Sequence, residues 1–330
     1  MRLADYLRRG LIGVLFIVLF FVAAIPAQAT ICVSIAWDLP SATEWITDAS
    51  VGGLSPENKA IVNSTILQRL IDTVSNKGGV ILIPEGEYRF AQTGTQTIGA
   101  HCIKMRSNVI IRGLGEKTIL KPVGESEKGL DMFYFNEYLD KGKPVYLENC
   151  RFEDFVIDAS GTSCRVYTSA GKGFMFNLFR NCHWKRVTVK NTDATGFGVD
   201  CPINSSISDC FAQGCGKAAS TASAGASGFG IGFGYSNEEN MVISGSSSIG
   251  NKKYGFFFEH QGRFNASKYL AQDTAGFMVR DCEAEGNLYN FGGIRAIRLR
   301  YECCHSVAPK SQDFYFENCR ACETIDCFEE

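Results

Sequence analysis

The sequence has little proline and no long run of basic residues. Only 8 of its 330 residues are proline, so the turns must rely on Gly, Asn and Asp, which tolerate positive φ angles. The formal net charge is −2, and a chain without a basic patch has no electrostatic means of holding duplex nucleic acid. We therefore expect no nucleic-acid partner.

The composition excludes several non-globular classes. Charged residues make up 21% and apolar residues 45%, which is ordinary for a folded protein and unlike a disordered chain, a collagen or a coiled coil. Cysteine is unusually frequent, with 14 residues, all after residue 30. A chain of this length is typical of two domains or of one elongated domain.

One long apolar run is present, at the N-terminus. Residues 11–25 are apolar, follow the basic Arg8 and Arg9, and precede Ala-Gln-Ala at 27–29. This pattern predicts a signal peptide over residues 1–29 and a secreted or cell-surface protein with no membrane partner after cleavage. The run is shorter than the roughly 20 residues that span a bilayer. An uncleaved signal anchor is the alternative, and the oligomeric state is open.

The next part of the chain predicts a helix followed by closely spaced strands. Apolar residues recur at helical spacing over 59–75, and an apolar strand follows at 80–84. We expect residues 30–54 to be a loosely attached lead-in segment and residues 55–330 to form one domain. The helix would cover the open end of the first coil, which is otherwise an unpaired strand edge.

A repeat of short segments indicates stacked coils. Segments beginning at Cys210, Ser246, Cys282 and Cys319 are separated by 36, 36 and 37 residues, and such a period without helical spacing is typical of a solenoid. Two or three short strands in each period favour an all-β solenoid over a propeller. We therefore expect these four residues to stack in one ladder.

Two segments resemble the pectate-lyase-like superfamily, of the rhamnogalacturonase and epimerase type. Residues 76–88 read Asn-Lys-Gly-Gly-Val-Ile-Leu-Ile-Pro-Glu-Gly-Glu-Tyr after a helix, and residues 103–120 resemble that family's next coil. The resemblance covers roughly residues 55–124. It implies a single-stranded right-handed parallel β-helix with an N-terminal capping helix. It also implies a polysaccharide partner, because many members act on acidic polysaccharides as lyases, C5-epimerases or glycoside hydrolases.

The catalytic signatures of that family are missing. We find no Asp-Asp pair with a later Gly-His-Gly, as in polygalacturonase-type hydrolases, and no calcium-binding Asp and Arg segments of pectate lyases. Residues 196–202 partly resemble the Gly-Phe-Asp-Pro-His segment of alginate C5-epimerases. Asp200 is present, but Cys201 stands where Pro is expected and no His follows. Calcium therefore stays an open alternative, and no cofactor is required.

Aligned Gly-Phe strands suggest a candidate site. Asp200, Gly232 and Glu259 fall in one column, with Cys201, Phe233 and His260 in the next. Coils stack about 4.8 Å apart, which places the two carboxylates about 10 Å apart across a glycine gap open to a ligand.

Roles follow for an elimination or epimerisation. His260 is expected to be the base, helped by Glu259, and Asp200 to orient the sugar or hold calcium. Arg263 or Arg295 would bind the uronate carboxylate. Two alternatives remain: a solvated outer face with ordinary charges, and a non-catalytic surface β-helix that binds glycans or a host partner.

The cysteines and aromatic residues have simpler interpretations. We predict a buried ladder of thiols, with disulfides, such as Cys210 with Cys215, as the alternative. A zinc site at Cys319 and Cys322, with Cys327 or His305, is less favoured because a single C-x-x-C lacks the usual second half. In the aromatic-rich stretches, alternate side chains should fill the coil interior. The ladder would comprise Cys150, Cys182, Cys210, Cys282 and Cys319.

Overall fold

The computed structural model describes residues 46–136, 145–220, 226–261 and 276–330. The signal peptide predicted for residues 1–29 and the predicted binding residue Arg263 lie outside them. One α-helix, α1 (Ala60–Val74), precedes a series of short strands. No helix in the described residues is long and apolar enough to cross a membrane.

The strands form two large sheets that wind around a common core, and all pairs in them are parallel except Gly94–Gln96 with Gly99–Lys104. Sheet 1 has 17 strands and sheet 2 has 10. The strands of sheet 1 are Ile46–Asp48, Gly79–Leu82, Gly86–Phe90, Val109–Arg112, Thr118–Pro122, Arg151–Asp158, His183–Lys190, Ser205–Ser208, Phe211–Gln213, Met241–Ser244, Ser247–Ile249, Phe277–Arg280, Glu283–Glu285, Leu299–Glu302, His305–Val307, Glu323–Ile325 and Phe328–Glu329. The strands of sheet 2 are Gly94–Gln96, Gly99–Lys104, Leu130–Phe135, Leu147–Glu148, Phe174–Arg180, Phe197–Ile203, Phe229–Phe233, Tyr254–His260, Tyr289–Ile294 and Gln312–Glu317. A small third sheet pairs Gly124–Ser126 with Thr162–Cys164.

The coils stack in register, as a parallel β-helix requires. In sheet 2, Phe197 lies beside Phe229 and Phe229 beside Phe256. Because successive side chains on a strand point to opposite faces, each column lies wholly inside or wholly outside the solenoid. Inward phenylalanines form a continuous stack whose ring centroids are 4.7 to 5.4 Å apart, which confirms the predicted alternation. The stack comprises Phe133, Phe174, Phe197, Phe229, Phe256, Phe291 and Phe314.

The predicted capping helix is present. α1 buries Leu67, Leu70 and Ile71 against the first coil. The Gln68 side chain donates to the Lys104 carbonyl at 2.9 Å and accepts from the Lys104 N–H at 2.8 Å. It therefore satisfies both backbone hydrogen-bonding groups of the last residue in the strand Gly99–Lys104. The end of the predicted lead-in is also part of the coil, because the strand Ile46–Asp48 pairs with Gly79–Leu82.

Three corners recur in each coil, and residues in the left-handed region form them. The first corner joins sheet 2 to sheet 1, the second joins the two strands of sheet 1, and the third returns to sheet 2. Asn149, Asn181, Asp209 and Asp281 have φ angles of 51 to 57°. Each precedes a cysteine, which explains the Asn-Cys and Asp-Cys pairs of the sequence. The small thiol turns inward and donates to the carbonyl two residues before it.

The single predicted ladder is two ladders. Cys150 and Cys182 stack at the first corner. The register of sheet 1 carries this position to Cys322 on the last coil, whereas Cys319 lies three residues earlier, beside Ala296. At the second corner the Cys210 backbone N–H donates to the Ser246 hydroxyl, and the Ser246 backbone N–H donates to the Cys282 sulfur. The next members of that second ladder are Cys304 and Cys327.

The prediction that Cys319 continues the ladder of Cys210, Ser246 and Cys282 is therefore wrong. The coil after Phe277 reaches its neighbour at Leu299, a shorter step than the 36 residues between Cys210 and Ser246. Corners are fixed by stacking, whereas loops between sheets vary in length, so the sequence period holds only where consecutive loops are equal.

The cysteines of the described segments are all free, so disulfides are not supported there. Most of these thiols are buried, and burial raises the pKa values of Cys210 and Cys282 to about 12. Nor do three His, Cys, Asp or Glu side chains converge as metal ligands in these segments. That excludes the zinc arrangement of Cys319 and Cys322 with Cys327 or His305 in this part of the chain.

Candidate functional site

The candidate column lies on the outer face of sheet 2. Asp200 lies beside Gly232, and Gly232 beside Glu259, on three successive coils, as the alignment predicts. Asn177 extends the column by one coil. The intervening residues, such as Val199 and Ile231, are buried at 0% and 1% exposure inside the solenoid, so the polar members of the column face outward.

The glycine gap in this column is already filled. A Cβ atom at Gly232 would collide with the Gln261 side-chain amide and with the Asp200 carboxylate, so these two side chains share the space above the glycine. Asp200 is only 8% exposed as a result. The sequence prediction left this gap open to a ligand, because nothing in the strand alignment shows where Gln261 folds. A ligand that reaches Asp200 must move the Gln261 amide.

Glu259 and Arg295 form an ion pair at the edge of the column. The Arg295 Nη2 lies 3.1 Å from Glu259 Oε1, with the side chains 49% and 30% exposed. A half-exposed pair of this kind contributes little to stability. A ligand carboxylate could therefore take the place of Glu259 on the guanidinium at small cost.

His260 does not lie on the same face as Glu259. Neighbouring residues on a strand point to opposite sides, and the His260 ring packs edge-on against Phe233, with centroids 5.5 Å apart. It is 4% exposed and lies over Gly234. Burial, with a smaller effect of the Arg295 charge, lowers the pKa of His260. The imidazole is therefore neutral at pH 7, and Glu259, which was expected to help it, is held by Arg295.

A buried carboxylate holds the loop at Gly234, against which His260 packs, and the sequence analysis missed it. Glu239 is 1% exposed and accepts the N–H groups of Gly234, Tyr235 and Ser236 at 2.6, 2.8 and 3.0 Å. The Cys201 thiol also hydrogen-bonds to it. Burial raises the pKa of Glu239, and these hydrogen bonds oppose the rise. Glu239 thus holds the loop after the strand Phe229–Phe233 against His260.

A tyrosine and an arginine complete this group. The Arg180 guanidinium lies 4.0 Å from the centre of the Tyr146 ring. Burial is the main cause that raises the pKa of Tyr146 to about 12, Tyr235 adds to the rise, and Arg180 opposes it. The Tyr146 phenol therefore stays protonated at neutral pH and can donate a hydrogen bond. No repeat or motif marks these residues. Glu239 and Tyr146 lie outside the strands, and Arg180 ends the strand Phe174–Arg180.

The described residues do not form a calcium cage. Calcium takes six to eight oxygen ligands, whereas Asp200 shares its space with an amide and Glu259 pairs with an arginine. No cluster of three candidate ligands exists in the described ranges. Asp200 by itself therefore does not fit the calcium role suggested for it, and no step is derived through this ion.

Two solved structures are similar to this chain over most of its length. One is the A-module of the mannuronan C-5 epimerase AlgE4 from Azotobacter vinelandii, with a TM-score of 0.56 and 16% identity over 85% of this chain and 76% of that one. The other is ORF18 of Geobacillus virus E2, with a TM-score of 0.56 and 13% identity over 86% and 61%.

Sequence comparisons find no such relatives, since no family profile and no curated protein match the chain. The structural similarity establishes a shared fold, and identities this low leave the activity open. The parallel register and the capping helix agree with that likeness. The chain therefore has a right-handed parallel β-helix fold.

Proposed function

We propose that this protein acts on an acidic polysaccharide bound to the outer face of sheet 2. The observation that carries the proposal is the column of Asp200 and Glu259 with Arg295 at its edge. Outward carboxylates beside a replaceable guanidinium suit a sugar that bears its own carboxylate. Support comes from the similar fold of a module named as a mannuronan C-5 epimerase.

The same residues suit removal of the proton at C5 of a uronate, the first step of both epimerisation and β-elimination. Arg295 would leave Glu259 for the uronate carboxylate and stabilise the charge that develops there. Glu259, released from its pair, is then the candidate base, because His260 lies on the other side of the sheet. Asp200 would orient the sugar once Gln261 moves aside. Hydrolysis is the third reaction that two carboxylates on one face could support.

A non-catalytic glycan-binding β-helix is the second candidate. The observations that favour it are the coverage of Asp200 by Gln261 and the 4% exposure of His260. Under this alternative the outer face of sheet 2 holds the glycan without reacting with it.

Incubation with pectate and alginate, each with and without calcium, tests the proposal. Absorbance near the unsaturated-uronate band reports elimination, reducing ends report hydrolysis, and the proton spectrum reports epimerisation. We expect turnover that falls at least tenfold in Glu259→Gln and Arg295→Ala, about 1.4 kcal/mol of transition-state stabilisation, and is unchanged in Lys185→Ala on another face. Binding of either glycan without product, unchanged by His260→Ala, would establish the second candidate instead.

We propose in addition that the mature protein is secreted or held at the cell surface after cleavage behind Ala29. The proposal rests on the basic, apolar and Ala-Gln-Ala segments of the N-terminus. N-terminal sequencing of exported protein should begin at Thr30. Exported protein that still begins at Met1 would indicate a membrane anchor.

A further inference from the structure

The outward column of sheet 2 contains buried amides without hydrogen-bond partners. Asn177 lies one coil before Asp200. It is 4% exposed, and its Nδ2 atom is buried without an acceptor. Asn136 follows the strand Leu130–Phe135, whose last residue pairs with Phe176. Asn136 therefore takes the column position next to Asn177, and its Oδ1 atom is also buried without a donor.

Asp200 continues this line on the next coil. It is 8% exposed, and within the described ranges no hydrogen bond or ion pair joins its carboxylate to another residue. Three successive coils, about 4.8 Å apart, thus present an amide oxygen, an amide N–H donor and a carboxylate in one line. We refer to Asn136, Asn177 and Asp200 as the polar row.

Asparagines elsewhere in the solenoid are bonded. Asn287, in the interior, donates to the Ser248 carbonyl and to Asn290 Oδ1, both at 2.9 Å. At the first corner Asn181 donates to the Asn149 side chain at 3.3 Å. Buried polar groups almost always have a hydrogen-bond partner, and one that lacks a partner needs a specific reason. A ligand that supplies the missing groups is such a reason.

The donors and acceptors of the polar row define the chemistry of that ligand. Asn177 Nδ2 can only donate, whereas Asn136 Oδ1 and the Asp200 carboxylate can only accept. A cation does not suit this order, because it requires oxygen ligands throughout. A hydroxyl group both donates and accepts, so the successive hydroxyls of a sugar chain can satisfy all three residues.

We propose that the polar row binds the hydroxyl groups of the sugar unit next to the one that reacts, with the polysaccharide lying along the solenoid axis. This assignment rests on the proposed function, in which Asp200 and Glu259 contact the reacting unit. Asn177 lies one coil beyond Asp200, on the side away from Glu259, and therefore meets the neighbouring unit. A ligand gains access when the side chains above the row move, as Gln261 must above Gly232.

NMR titration of the full chain with hexagalacturonate and with hexamannuronate tests the polar row, with maltohexaose as the neutral control. The side-chain amide resonances of Asn177 report contact, and calorimetry gives the affinity. We expect these resonances to shift with an acidic hexamer. Asn177→Ala should weaken its binding about tenfold, since one hydrogen bond to an already desolvated group is lost. Asn76→Ala, at an exposed position beyond the end of α1, should leave the affinity unchanged.

Unfolding in urea separates a binding role of Asn177 from a structural one. Asn177→Ala removes an amide whose N–H groups have no partner, so the urea midpoint should not fall. Asn287→Ala breaks interior hydrogen bonds and should lower the midpoint. If the midpoint falls as far in Asn177→Ala as in Asn287→Ala, Asn177 is a structural residue and the proposal is overturned.

The outcomes also separate the polar row from the proposed function. A shift of the Asn177 amide without turnover of either polymer would support the row and refute the enzymatic proposal. Turnover that depends on Glu259, with an unmoved Asn177 amide or unchanged affinity in Asn177→Ala, would refute the row. An equal shift with maltohexaose would overturn the assignment to an acidic polysaccharide.

Discussion

Single residues decide how open the outer face of sheet 2 is. Gly232 has no side chain, and the space above it is shared by Asp200 and Gln261. The neighbouring column places His260 against Phe233, on the other side of the sheet from Glu259. One glycine and one amide therefore control access to the carboxylate that the strand alignment singles out.

Replacing Gly232 should test that arrangement. Gly232→Ala forces the Gln261 amide and the Asp200 carboxylate apart, and because both are the ends of flexible side chains the cost is at the low end of overpacking, about 1 kcal/mol. The free energy of unfolding in urea should fall by that amount. Gly276→Ala is the control, because a Cβ atom there would meet only the Arg298 carbonyl at 3.8 Å. Equal stability of the two variants would contradict the packing described above Gly232.

A second residue-scale prediction concerns His101, which lies beside Asp131 in sheet 2. Burial, aided by the Lys104 charge, lowers the pKa of His101 to about 4. Between about pH 6.5 and pH 4, His101 is therefore neutral in the folded state and protonated in the unfolded chain. The contribution of neutral His101 to the free energy of unfolding is complete above pH 6.5 and is lost as the pH falls towards 4.

Asp131 has the opposite effect over nearly the same range. Burial raises its pKa to about 6, against hydrogen bonds from the Lys172 and Gly171 N–H groups. Because folded Asp131 takes up its proton at a higher pH than the unfolded chain does, its contribution to the free energy of unfolding grows as the pH falls from 6 towards 4. The contributions of His101 and Asp131 should therefore largely offset each other between pH 6 and 4. His101→Gln should gain stability relative to wild type as the pH falls, by up to about 3 kcal/mol. Urea titrations at each pH measure the difference, and a constant offset between the two proteins would refute the assignment.

At the scale of elements, α1 acts as the end cap of the solenoid. Its apolar side covers the first coil, and Gln68 bonds to both backbone groups of Lys104. An open coil end would leave such groups unpaired and attract other strands. The helix is predictable from periodicity, whereas the reach of Gln68 to Lys104 depends on how the helix packs.

Gln68→Ala should remove both of these hydrogen bonds. We expect a loss of about 1–2 kcal/mol in the free energy of unfolding, since a net hydrogen bond contributes about 0.5–1.5 kcal/mol. Exchange of the Lys104 amide hydrogen should also become faster. Thr65→Ala, on the exposed side of the same helix, should change neither quantity. Unchanged Lys104 exchange in the Gln68 variant would show that the bonds do not protect this edge.

At the scale of the whole molecule, stacking sorts the cysteines by corner and by burial. Cys210 and Cys282 lie inside the second corner at 2% exposure each, whereas Cys303 is exposed. The ladders hold free thiols at neighbouring coils, where each behaves as a small apolar side chain. Solenoid stability is then spread along the axis, each coil depending on its neighbours.

Alkylation of the folded protein should follow this sorting. Cys303 should react with iodoacetamide rapidly, and Cys210 and Cys282 only after unfolding in urea, because their thiols are buried and their pKa values are raised to about 12. Peptide mass spectrometry after timed quenching measures each site. The protein is unfolded in urea without reductant and then alkylated. If Cys210 or Cys282 stays unmodified, the cysteine is in a disulfide, and the free ladders are contradicted.

The sequence by itself determined the fold and one column of the site. Helical spacing over 59–75, the segment at 76–88 and the Gly-Phe strands sufficed, because inward and outward positions alternate and corners need residues that tolerate positive φ. The same regularity placed Asp200, Gly232 and Glu259 side by side.

Only the tertiary structure decided what the loops and neighbouring side chains add to that regularity. The ladder passes from Cys282 to Cys304 because the following coil is shorter. Gln261 fills the gap at Gly232, and Glu239 binds the loop that begins at Gly234. These contacts join residues whose separations depend on loop length and side-chain rotamer, and neither quantity is periodic in the sequence.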